Sequence, residues 1–304
     1  MTAAAVELVL DARAELGEGP RWDSAHQRLL WVDIMRGRVH AFTPSTGACR
    51  NVAVGRPVGA LACTAATDRL VGCCRDGSLV LAVAGGFARL DLDSETFEVQ
   101  AAVEADRPQN RMNDGACDGA GRFWAGTMAL DEGPGAGALY CLDPDLTVHT
   151  MLTGVTISNG LDWSLDGRRM YYVDSPTRRI DVFDFDVATG SIADRRTFAS
   201  VPADAGVPDG LTVDAAGFVW LALWGGAALR RYDPDGTLER VVPLPVTHPT
   251  SCAFGGAGLD ELYVTSARRP LTAEEKARQP QAGGVFRLRP GVAGRPANLF
   301  GQAA

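Results

Sequence analysis

The sequence predicts an all-β fold, a six-bladed β-propeller, and three observations lead there. One pattern recurs along the chain: a residue able to offer oxygen, a Gly, a short apolar strand, an Asp- and Gly-containing turn and a second apolar strand. It is clearest at Pro208-Asp209-Gly210-Leu211, recurs at Asn113-Asp114-Gly115 and Ser158-Asn159-Gly160-Leu161, and opens the chain in degenerate form at Gly17-Glu18-Gly19-Pro20. With weaker copies at Val58 and Thr250, the anchors Glu18, Val58, Asp114, Asn159, Asp209 and Thr250 stand 40, 56, 45, 50 and 41 residues apart. That is the length of a four-stranded propeller blade. Finally, Gly 35 and Pro 17 without a collagen period suit many tight turns between short strands.

The elements follow in order. Residues 6–12 read as early strand material that pairs with the last blade and closes the ring, since an open ring would leave strand edges exposed. The second strand of each blade is an apolar run, at 30–34, 70–74, 123–127, 170–173, 219–223 and 262–265. Such runs fit strands covered on both faces by neighbouring blades. Alternating third strands follow at 38–42, 139–142, 180–185 and 229–232. The one helical signal is 271–278, between Pro270 and Pro280. No linker or composition shift divides the chain, so residues 1–304 are expected to form a single propeller domain.

Composition narrows the function. A hydrophobic share of 46% with 22% charged residues supports a packed core. The net charge of −8 repels phosphate backbones and anionic lipid, so neither nucleic acid nor membrane is an expected partner. Residues 1–10 lack the basic start and apolar core of a signal peptide, and the expected location is cytoplasmic. Seven Cys (49, 63, 73, 74, 117, 141 and 252), an odd number with no C-x-x-C pair, read as small buried thiols in a reducing compartment.

In a propeller the innermost strands begin at equivalent places, so Glu18, Asp114, Asn159 and Asp209 should converge at one mouth of the central channel. Taken singly, Asn-Gly and Asp-Gly are ordinary turn dipeptides. Four such residues at equivalent positions, one of them Glu, are poorly explained that way. Their carboxylates would repel one another in a partly dry channel unless a divalent cation lay between them. An all-oxygen set suits Ca²⁺, Mg²⁺ or Mn²⁺ before Zn²⁺ or Fe(II). No Gly-x-Ser-x-Gly elbow, His-Glu-x-x-His or phosphate-binding Gly-rich loop is present, and the four His (26, 40, 149 and 248) have no spacing partners. A Ser-His hydrolase is thereby disfavoured. His248 is placed near the mouth or in an idle loop, and Trp224, before Gly225-Gly226, is the one Trp suited to a sugar-stacking wall.

Several motifs in this order carry a family resemblance across nearly the whole chain. They are Leu16-Gly17-Glu18-Gly19-Pro20, Arg111-Met112-Asn113-Asp114-Gly115, Gly121-Arg122-Phe123-Trp124-Ala125-Gly126-Thr127-Met128, Ile157-Ser158-Asn159-Gly160-Leu161, Tyr172-Val173-Asp174-Ser175, Pro208-Asp209-Gly210-Leu211, Leu223-Trp224-Gly225-Gly226 and Pro249-Thr250-Ser251-Cys252. Together they resemble the senescence-marker-protein, gluconolactonase and luciferin-regenerating-enzyme family, which includes regucalcin-like bacterial sugar lactonases. The resemblance implies that Glu18, Asn159 and Asp209 ligate one divalent cation, and that Arg111 and Asn113 contact substrate. It also implies an acidic substrate contact after the Gly-Thr-Met strand, matched here to Asp131. Asp114 stands at the mouth with no bond to the metal assigned. Arg111 alone would read as a surface ion pair of little worth; its place beside Asn113 favours the site.

The expected activity is metal-dependent hydrolysis of a sugar-acid lactone such as glucono-, xylono- or arabinonolactone, with Asp209 assisting deprotonation of water. The alternatives are an organophosphate or phosphotriester hydrolase on the same fold, or a non-catalytic calcium-binding or scaffold propeller. The expected partner is the small-molecule lactone, and the expected state a monomer or weak homo-oligomer.

Overall fold

Six four-stranded antiparallel sheets stand around one channel in the computed structural model, which describes residues 5–65 and 78–303. The first strand, β1 (Glu7–Leu10), leaves at once for the last blade. Blade one is β2 (Gly17–Asp23), β3 (Arg28–Asp33), β4 (Arg38–Thr43) and β5 (Ala48–Ala53). Blade two is β6 (Val58–Cys63), β7 (Ser78–Val83), β8 (Gly86–Asp91) and β9 (Thr96–Ala102). Blade three is β10 (Asn110–Cys117), β11 (Phe123–Ala129), β12 (Gly137–Leu142) and β13 (Val148–Val155). Blade four is β14 (Ser158–Trp163), β15 (Arg169–Asp174), β16 (Arg179–Phe185) and β17 (Ile192–Ser200). Blade five is β18 (Val207–Val213), β19 (Val219–Trp224), β20 (Ala228–Tyr232) and β21 (Leu238–Pro243). Blade six is β22 (Pro249–Gly255), β23 (Glu261–Ser266), β24 (Val285–Leu288) and, outermost, β1. Glu7 pairs with Arg287 there, so the start of the chain closes the ring as expected.

Apolar side chains fill each interface between neighbouring blades. Leu30, Val32, Leu61 and Leu81 join blades one and two, and Trp22, Trp31 and Tyr263 join blades six and one. Two of the tryptophans also have a polar anchor. The Trp124 and Trp220 indoles donate to Asp118 and Asp214, the fully buried hairpin aspartates of blades three and five. Those carboxylates are structural: each also holds an Arg, Arg122 or Arg231.

Two expectations are corrected. The second strand of blade two, paired with β6, is β7 in place of the expected run at 70–74; those residues, with Cys73 and Cys74, lie outside the described part of the chain. Both stretches are apolar runs, and periodicity alone does not choose between them. The helix α1 (Ala273–Arg278) is shorter than 271–278 because Thr272 caps it, its hydroxyl accepting from the Glu275 amide while the Glu275 carboxylate accepts from the Thr272 amide.

The anchors do not sit at turns. They lie inside the innermost strands, where the ladder shifts register between Glu18 and Arg21, Met112 and Gly115, Ser158 and Leu161, and Pro208 and Leu211, with the same shift in β6 and β22. The repeated signature is a β-bulge rather than a turn. Bulges and turns draw on the same Gly and Asx chemistry, which is why the sequence reads as turns. Each bulge re-aims its side chain. At Asn159 the Gly after the anchor is required by the adjoining blade: a Cβ on Gly160 would lie 2.6 Å from the Asp209 carbonyl oxygen.

Beyond β24 the chain runs across the far ends of the innermost strands. Ala293 O accepts from Ala215, Arg295 pairs with Asp162, Asn298 donates to Cys117 O and Phe300 bonds to Cys63 and Ala65. This segment closes the rear of the channel, leaving a cavity of about 60 Å³ lined by Arg21, Asp162 and Arg295 among others. Among the described residues no helix is long and apolar enough to cross a membrane.

Candidate functional site

The front of the channel gathers Glu18 from β2, Arg111, Asn113 and Asp114 from β10, Asn159 from β14 and Asp209 from β18. All six are buried, with 4 to 7% of their surface exposed. A hydrogen-bonded chain organises one side. Arg111 Nη1 donates to Asn113 Oδ1 at 2.6 Å, and Asn113 Nδ2 donates to Ser158 O at 2.6 Å and to Asn159 Oδ1 at 3.1 Å. Asn159 Nδ2 donates to Ser175 Oγ at 2.8 Å, and Ser175 Oγ donates to Pro208 O, also at 2.8 Å. Three blades are thereby tied together around the Asn159 amide. Below it, Asp174 accepts from the Thr156 and Ile157 amides and fixes the entry to β14.

On the other side the Glu18 and Asp209 carboxyls lie within hydrogen-bonding reach of each other. Glu18 also has backbone at hand, its Oε2 accepting from Gly19 N at 2.8 Å. Burial pushes the Asp209 carboxyl well above the usual range, with the Glu18 and Asp114 charges adding to it. Glu18 is raised by burial and then by Asp114. Two such carboxyls share a proton unless a cation takes its place. Arg111 is itself lowered to about 10, first by burial, against the opposing pull of Glu18.

Among the described residues no three His, Cys, Asp or Glu side chains converge closely enough to hold an ion by themselves. The acids that meet are Glu18 and Asp209, and the third expected ligand, the Asn159 amide, presents its Oδ1 to Asn113 Nδ2. Its orientation is set by the Nδ2 bond to Ser175. Two ionisable carboxylates and an oriented amide oxygen are a donor set that fits a hard divalent cation.

The other expected residues are placed as follows. Asp131 is exposed on the rim, its Oδ1 accepting from Gly133 N at 3.0 Å, whereas the neighbouring Glu132 is the acid whose charge reaches Arg111. Trp224 ends β19 opposite Val207 at the front mouth, its ring 4.5 Å from that of His248. His248 Nδ1 is buried with no hydrogen-bond partner, and burial lowers its pKa. Sequence reasoning missed Ser175 and Ser158. Ser175 stood in the Tyr172-Val173-Asp174-Ser175 motif, but nothing in its type marks a residue that orients an amide 16 positions away.

Comparison with known proteins shows the family. A family model described as the SMP-30/Gluconolactonase/LRE-like region matches residues 16–268. The chain belongs to that family. Regucalcin of Xenopus laevis is 38% identical over 294 residues, covering 95% of each chain. Among family structures, a calcium-binding protein, regucalcin, from Agrobacterium tumefaciens superposes with a TM-score of 0.91 at 29% identity, covering 98% of both chains. A luciferin-regenerating enzyme superposes with a TM-score of 0.89 at 33% identity, covering 98% of this chain and 99% of the other.

Proposed function

We propose that the protein is a metal-dependent hydrolase that opens a sugar-acid lactone. The observation that carries this reading is the meeting, in one buried mouth, of the Glu18 and Asp209 pair with the Arg111–Asn113–Asn159 hydrogen-bonded chain. Membership of a family that includes gluconolactonases supports it. Glu18, Asp209 and Asn159 would hold one divalent cation, Ca²⁺, Mg²⁺ or Mn²⁺ being the best match to oxygen donors and Zn²⁺ or Fe(II) a poorer one. The bound cation supplies Lewis-acid polarisation, which stabilises negative charge developing on a carbonyl oxygen.

The chain's own residues do the rest. Arg111 directs the N–H groups not spent on Met112 O and Asn113 Oδ1 towards the substrate's oxygens. Asn113, whose own amide protons go to Ser158 O and Asn159 Oδ1, holds that guanidinium in register beside the substrate, an effect of orientation as much as of charge. Asp131, on the rim, meets sugar hydroxyls. Asp209 takes a proton from the attacking water as the new C–O bond forms. The ring C–O bond then breaks, its electron pair stays on the ring oxygen, and that oxygen takes up a proton to give the open hydroxy acid. The substrate alcohol is an internal leaving group that needs no strong acid behind it, consistent with a mouth whose one His is His248.

A calcium-binding role without turnover is the second reading, favoured by the regucalcin relatives. Asp209→Ala tests the first: it should lose both the bound cation and lactonase activity while its β circular-dichroism spectrum stays. Normal metal content in that variant would overturn the ligand assignment.

A further inference from the structure

A separate cavity opens beside the mouth, where blades six and one meet. Glu15 leads into β2, Arg36 lies in the hairpin between β3 and β4, Arg268 and Arg269 follow β23, and Lys276 stands on α1. Together they line an open space of about 280 Å³. It is on the front face, because Leu16 bridges to Ala267 and Gly17 pairs with Asp33, at the same end of β2 as Glu18. Backbone fixes its walls. The Arg268 and Arg269 amides both donate to Glu15 O, at 3.2 and 2.9 Å, and the Glu15 and Leu16 amides donate to the Asp33 carboxylate at 3.0 and 3.1 Å.

The charges around this cavity do not balance. Arg36 is occupied: its Nη1 donates to Arg13 O at 3.1 Å and lies 3.4 Å from Asp33, and its Nε lies 3.7 Å from Glu15. Arg268, Arg269 and Lys276 make no side-chain hydrogen bond or ion pair among the described residues. The acids of α1 are turned elsewhere, Glu274 to Arg278 and Glu275 to the Thr272 amide. Three cations thus face one carboxylate, itself shared with Arg36, in a chain whose net charge is −8. Like charges held on fixed backbone repel one another, and an oxyanion between them replaces that cost with attraction. The Arg269 charge acts on Arg111, so the cavity adjoins the mouth.

We propose that this cavity is an anion subsite of the mouth, which takes a carboxylate or phosphate group carried by the substrate outside its lactone ring, so that the preferred substrate is an acidic lactone. The inference rests on the lactone-hydrolase reading above. Both groups offer paired anionic oxygens. An Arg guanidinium meets such a pair with a planar fork of N–H donors, and a Lys adds a point charge.

The test compares kcat/KM of the metal-loaded, full-length protein for three lactones of one ring size: one with a neutral chain, one whose chain ends in a carboxylate and one whose chain ends in a phosphate ester. An acidic lactone should be preferred to the neutral one by roughly tenfold, mainly through KM, and the preferred acid identifies the group. The double variant Arg268→Gln with Lys276→Gln should lose most of that preference. Arg269→Gln, at an exposed position, should lose about threefold of it and serves if the double variant fails to fold. Equal rates for the three lactones, or a preference kept in the folded variants, overturns the subsite, while turnover of the neutral lactone leaves the hydrolase reading standing. If no lactone is opened, that reading falls, and calorimetric titration with inorganic phosphate and with malonate decides the cavity. Binding to the parent that the variants lose supports the anion site, and a parent that binds neither overturns it.

Discussion

Asn159 and Ser175 form a hydrogen bond of 2.8 Å in which the amide nitrogen donates to the hydroxyl, leaving the amide oxygen to accept from Asn113. The hydroxyl spends its own proton on Pro208 O, one residue before Asp209. Ser175 therefore sets the direction of one proposed ligand and braces the strand of another. Partners of this kind change metal affinity by about 10- to 100-fold when removed. Ser175→Ala should fold normally and bind Ca²⁺ or Mn²⁺ at least about tenfold more weakly by calorimetry. Unchanged affinity would show that Asn159 is oriented without it.

Metal removal should invert the dependence of stability on pH. In the cation-free protein Glu18 and Asp209 have raised pKa values, chiefly through burial. The folded chain then holds protons that the unfolded chain has lost, so these groups cost stability as pH rises from the ordinary range near 4.5 towards the raised values. Chelated protein should melt lower at about pH 8 than at about pH 6. A bound cation favours the ionised pair, so the gain in melting temperature on adding metal should widen over the same interval. Thermal unfolding with and without a chelator reads this directly, and a gain that shrinks with pH would contradict it.

The propeller was legible because a blade repeats and its apolar runs repeat with it. The site was legible in its residue types, Glu18, Asn159 and Asp209, but not in its backbone. A bulge and a turn use the same Gly and Asx residues, and only the ladder between β10 and β11, or β18 and β19, shows which is present. Ser175 was illegible for another reason. It acts on Asn159 and, across the blade boundary, on Pro208 O, and contacts between distant stretches leave no local pattern.

Asp131 and Glu132 divide the acidic rim. Asp131 is exposed and free of Arg111, so Asp131→Asn should raise KM for a sugar lactone several-fold while metal affinity holds. Should Glu132→Gln alone raise KM, the hydroxyl contact belongs to Glu132.

Gly160 has no room for a side chain beside Asp209 and Leu211. Gly160→Ala should destabilise the fold by about 2 kcal/mol in denaturant unfolding, as overpacking does. It should also weaken the cation, because the crowded atom is the Asp209 carbonyl oxygen. Parent-like stability would mean that blades four and five separate more easily than their packing implies.

The central claim is turnover at a metal site, and proton release from a panel of five- and six-membered aldonolactones tests it most directly. Hydrolysis frees one proton per lactone opened. Chelated protein should fall to the spontaneous rate, and adding back a divalent cation should restore hydrolysis to a level that depends on the metal. Metal-loaded protein that opens no lactone faster than water alone would contradict the account.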